Sequence, residues 1–96
     1  MTKDAFDWGR MIKDLAQHLL AAVSQEQVGY IIADTERDVG RLGGPADFWS
    51  RLMVEYEFLL TSHHWPPSTK LLATKLAPVV RTLIRLKAAS VRPPEA

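Results

Sequence analysis

Residues 25–42 read QEQVGYIIADTERDVGRL, and the fold turns on how this stretch is divided. Val28, Ile31, Ile32, Val39 and Leu42 recur at the three- and four-residue spacing of a helix face. Between Ile32 and Val39 the apolar rhythm lapses. One division is a single helix running to Arg41, with Thr35 on the buried face. The other is a helix, a tight turn near Ala33-Asp34, and a second helix.

The second division has a functional meaning. A DNA-binding helix-turn-helix needs a small residue at its fifth position, where two helices cross closely, and branched apolar residues near the fourth, eighth, fifteenth and eighteenth. Counted from Gln25, these are Gly29, then Val28, Ile32, Val39 and Leu42. Ala33 stands at the ninth position, where the turn favours glycine, and Asp34 at the tenth, where an apolar residue usually packs. Asp34 would instead cap the second helix. In this reading Thr35, Glu36, Arg37, Gly40 and Arg41 face double-stranded DNA. Arg37 or Arg41 would read guanine in bidentate fashion, and Glu36 would accept from a cytosine amino group.

Outward from this stretch, the chain reads as helix throughout. Trp8, Met11, Ile12, Leu15, Leu19 and Ala22 form the face of a first helix, with Asp4 or Asp7 as its cap and Ser24 as the cap of the next. Gly43-Gly44-Pro45 is the strongest break, with Pro45 suited to a first helical turn. Phe48, Trp49, Leu52, Met53, Tyr56, Leu59 and Leu60 then mark a helix ending near Ser62. The connection His63-His64-Trp65-Pro66-Pro67 cannot continue a helix. Ser68 is placed to cap a last segment that Pro78 must kink or split. Leu72, Leu76, Val79, Val80, Leu83 and Ile84 cover more than one stripe of that segment, which implies burial on two sides and predicts an oligomerisation surface. The fold class expected is all-α, a small bundle of four to five helices with or without a helix-turn-helix. It forms a single domain over residues 1–92, with 93–96 as a disordered tail.

The layout resembles the CII transcription activators of lambdoid phages from about Met11 to Phe58. Ile12, Ala21, Val23 and Glu26 lead into the motif; Val39-Gly40-Arg41-Leu42 and then Trp49-Ser50-Arg51-Leu52-Met53 follow it. The resemblance implies a regulator that binds repeated half-sites, contacts RNA polymerase and assembles through a C-terminal helix. The sequence departs from that pattern at Ala33, Asp34 and the Gly43-Gly44 break, and in its acidic recognition segment.

Composition narrows the alternatives. The 96 residues carry a net charge of +1 and no cysteine, so neither a disulfide framework nor a thiolate metal site exists. Residues 1–48 hold five basic and eight acidic side chains, whereas 49–96 hold seven basic and three acidic. That tilt favours an anionic partner for the second half. No apolar run reaches the roughly 18 residues of a membrane span, and a cytoplasmic location is expected.

Chemistry finds no constellation in this sequence. Glu55 and Glu57 lie on different helix faces, the serines lack a nucleophile elbow, and the adjacent His63 and His64 lack further metal ligands. The sequence predicts no enzyme, metal, cofactor or small-molecule substrate. The leading expectation is a DNA-binding transcription regulator acting as a homo-oligomer or with a partner subunit. The second is a helical interaction module, either a death-domain-like adaptor or the small subunit of a larger complex such as a CRISPR-type nucleoprotein assembly.

Overall fold

A computed structural model describes residues 6–62 and 64–90 and contains four helices: α1 (Trp8–Ala21), α2 (Gln25–Leu42), α3 (Phe48–Ser62) and α4 (Pro67–Ser90). No strand occurs among the described residues. Asp4, His63 and the tail 93–96 lie outside them.

Each helix begins where the chain offers a partner for its unpaired N–H groups. Asp7 accepts from the Arg10 N–H at 3.0 Å and opens α1. Ser24 Oγ accepts from the Gln27 N–H at 3.1 Å, while Gln27 Oε1 accepts from the Val23 N–H at 2.9 Å, a reciprocal cap between α1 and α2. The Pro45 carbonyl accepts from the Phe48 N–H, so Pro45 lies in the turn before α3 and not in its first turn. Ser68 does not cap α4 either. Pro67 is already the first helical residue, a position where its missing N–H costs nothing.

Of the two divisions of residues 25–42 the structure takes the single helix: α2 runs unbroken through 18 residues, with no turn at Ala33-Asp34. Thr35 fills the gap in the apolar pattern. It is 3% exposed and its hydroxyl donates to the Ile31 carbonyl at 2.7 Å. A threonine that satisfies its hydroxyl four residues back can take a buried helical position, and the stripe Val28, Ile32, Thr35, Val39 then continues without a turn. Gly29 fits the single helix. A Cβ placed there meets nothing within 4 Å, so no helix crosses closely at that point. Glycine instead matters at the far end. Gly43 takes φ 70°, and the Gly44 N–H donates to the Val39 carbonyl at 2.9 Å, closing α2 with a Schellman-type cap.

The core gathers Ile12, Ala16, Leu19, Leu20, Val28, Ile32, Phe48, Trp49, Leu52, Tyr56, Leu76, Val80 and Ile84 among others. Helix α4 touches α1, α2 and α3, while α2 and α3 do not meet. Contacts between Trp8 and Phe48, and between Glu57 and Arg81, set α1 parallel and α4 antiparallel to α3. Seen down the bundle, the neighbours run α1, α3, α4, α2.

Most of the expected oligomerisation surface is covered within the chain itself. Leu76, Val80 and Ile84 are buried, and Leu72, Val79 and Leu83 are half-buried against the same core. The broad apolar circumference of α4 is buried on more than one side, with α2 and α3 of the same chain packed against it. Pro78 neither splits nor ends α4; it lies on the exposed face, where the hydrogen bond it removes faces water.

Candidate interaction surfaces

Of the residues expected to read DNA, Thr35 is buried and Glu36, Arg37, Gly40 and Arg41 are exposed on α2. Thr35 points into the core. Glu36 accepts from Lys87 Nζ of α4 at 2.7 Å. Arg37 is paired with Asp34, and Arg41 with Asp38 at 3.1 Å, each three residues back on the same helix. Gly40 is exposed over open space. Both arginines thus sit beside a carboxylate in largely exposed pairs, and α2 carries four acidic side chains against these two basic ones.

On α4 much of the positive charge is also engaged. The Arg81 guanidinium straddles Glu57, with Nη2 donating to Oε1 at 3.0 Å, and this contact holds the Glu57 carboxyl below its usual range. Lys70 Nζ donates to the Leu60 carbonyl at 3.1 Å, at the negative end of α3. Lys75 and Arg85 remain outward, with no carboxylate in contact among the described residues. Among those residues no group of three His, Asp or Glu side chains could hold a metal ion. No helix there is long and apolar enough to cross a membrane.

What the surface does offer is apolar. On α3, Val54 and Phe58 are one turn apart and 70% and 60% exposed. Beside Val54 runs an open groove of about 380 Å³ between α1 and α3, floored by Ile12 and Gly9 and rimmed by Lys13, Arg51, Ser50 and Glu55. Helix α3 is apolar on two faces because one packs the bundle and the other is left outside. On α2, Tyr30 is 72% exposed, with Glu26 and Asp34 one turn to either side. Sequence reasoning passed over Val54, Phe58 and Tyr30. The signal was present: Val54 and Phe58 share a spacing of four and fall off the stripe Phe48, Leu52, Tyr56, Leu59.

Compared with family models, curated proteins and solved structures, the chain shows no match. The surfaces themselves therefore carry the functional argument.

Proposed function

We propose that this protein is a non-enzymatic helical interaction module, which docks a protein partner through the outer face of α3 and the adjoining α1–α3 groove. The supporting observation is the pair Val54 and Phe58, exposed one turn apart beside a groove with an apolar floor. Exposed leucines or valines scattered singly are ordinary, but two exposed apolar side chains one turn apart, one of them lining a concave site, fit a helix-in-groove contact. Lys13 and Arg51 on the rim favour an apolar anchor flanked by carboxylates.

A regulator that holds duplex DNA through α2 has less support. A protein making several phosphate contacts needs several free cations, each adding roughly one unit to the salt slope. Helix α2 carries four acidic side chains against its two arginines, and α4 keeps Lys75 and Arg85 as outward cations outside any ion pair among the described residues.

The reading is tested by placing a photo-cross-linking amino acid at Val54, Phe58, Lys75 and Arg85 in turn, in cells producing the full chain. Discrete protein adducts at Val54 and Phe58 are expected. Nucleic-acid adducts at Lys75 and Arg85, with none to protein at Val54 or Phe58, would overturn it in favour of a nucleic-acid-binding protein.

A further inference from the structure

Two features of the surface are complementary to each other. Tyr30 projects from α2 with its ring largely in water, and Glu26 and Asp34 stand four residues before and after it on the same exposed face. The two carboxylates are roughly 12 Å apart along the helix axis. The α1–α3 groove presents the converse. Ile12 and Val54 provide an apolar bed, and Lys13 and Arg51 stand on its opposite walls, one from each helix, with Glu55 as the single carboxylate beside these two cations on the rim. Neither cation meets a carboxylate among the described residues. A tyrosine ring is amphipathic and rigid, with little rotamer freedom to lose on docking, which suits it as an anchor in such a bed. Asp34 is held by Arg37 across a pair whose two side chains are about two-thirds exposed, at 67% and 66%, so exchanging that partner for another cation costs little.

The two features lie on different sides of the bundle. The groove runs between α1 and α3, and α2 has no contact with α3. A copy that inserts its Tyr30 into a neighbour therefore keeps its own groove free. Such a contact is heterologous, and it propagates instead of closing as a two-fold dimer.

We infer that the partner of the groove is a second copy of this chain: Tyr30 of one copy seats between α1 and α3 of the next, and Glu26 and Asp34 meet Lys13 and Arg51. This rests on the reading of the protein as an interaction module and names its partner. The contact is reversible and charge-assisted, so raising salt weakens it.

Sedimentation velocity over a concentration series reads this directly. The wild-type chain is expected to grow into species larger than a dimer as concentration rises, and to shrink again at high salt. Tyr30→Ala and Val54→Asp are each expected to be monomeric, with association weakened at least tenfold; circular dichroism checks that both remain helical. Arg51→Glu, at an exposed position, serves the same purpose if Val54→Asp unfolds. The decisive sample mixes the two variants. Tyr30→Ala retains an intact groove and Val54→Asp an intact tyrosine, so together they are expected to form a pair with one copy of each and to grow no further. A wild-type chain that stays monomeric at millimolar concentration overturns the inference. So does a mixture that stays monomeric, because the two features are then not each other's partners. If the wild type is monomeric while cross-links at Val54 still reach other proteins, self-docking fails and the interaction module stands.

Discussion

The Trp65 indole Nε1 donates to the carbonyl oxygen of Leu59 at 3.0 Å, and Lys70 Nζ reaches the next carbonyl, Leu60, at 3.1 Å. The last carbonyls of a helix have no partner within it, and here the following connection and helix supply two. The same contacts fix the angle at which α4 leaves α3, and with it the cover over the core.

Trp65→Phe keeps much of the packing and removes the donor. We expect a loss of about 1–2 kcal/mol in unfolding free energy, measured by urea denaturation. Lys70→Met should cost less, because its ammonium lies nearer water. An unchanged midpoint for Trp65→Phe would mean that the indole contact does not hold the α3–α4 connection.

Tyr56 is fully buried, and its hydroxyl has no hydrogen-bond partner among the described residues. Tyr56→Phe is therefore expected to be neutral or to stabilise by about 1 kcal/mol, against the usual direction for a core substitution. Burial pushes the phenol up to about 12, while Arg81 nearby acts in the opposite sense. A folded-state value above the unfolded value of 10 means the contribution is intact below pH 10 and is lost as pH rises towards 12. Thermal melts at neutral and alkaline pH should show a smaller alkaline loss for Tyr56→Phe than for the parent.

Glu57 titrates in the opposite direction. The hydrogen bond from Arg81 lowers its value, so this contribution is present above the ordinary carboxylate range and is lost as pH falls through the lowered folded value. Glu57→Gln should cost about 1 kcal/mol or less near neutrality, since both side chains are about one-third exposed. Its stability should also fall less on acidification than the parent's, as followed by circular dichroism.

Gly44 lies against α1. A Cβ there would sit 2.7 Å from Val39 Cγ1 and 3.1 Å from the Trp8 ring. Gly44→Ala should destabilise by about 1–3 kcal/mol through that overpacking. Gly43→Ala should cost about 1 kcal/mol through its left-handed backbone alone, with open space around the new methyl. Equal effects at the two glycines would remove the distinction.

The helical pattern carried most of the architecture. Ser24, the Gly43-Gly44 break and the two prolines at 66 and 67 mark the breaks between helices, because caps and breakers act within a few residues. The division of residues 25–42 was not legible from periodicity alone. Thr35 reads as polar in any hydrophobic count, and its burial depends on a hydroxyl bond to its own helix. The role of α4 was half legible: its apolar breadth announces two buried sides, but whether a second chain or the same chain provides them depends on how α2 and α3 are placed. Tyr30, Val54 and Phe58 were hidden for a related reason. A helix with two apolar faces does not say which one the fold leaves outside.

The case against α2 as a reader of DNA depends on α2 being one helix, since a turn at Ala33-Asp34 would release Thr35 and Arg37 towards a groove of DNA. Nuclear magnetic resonance of the labelled chain measures this at the residues concerned. The account predicts helical Cα shifts and sequential amide contacts unbroken from Gln25 to Leu42, with a slowly exchanging amide at Thr35. Non-helical shifts at Ala33 and Asp34, with a fast-exchanging Thr35, would contradict it and return the helix-turn-helix.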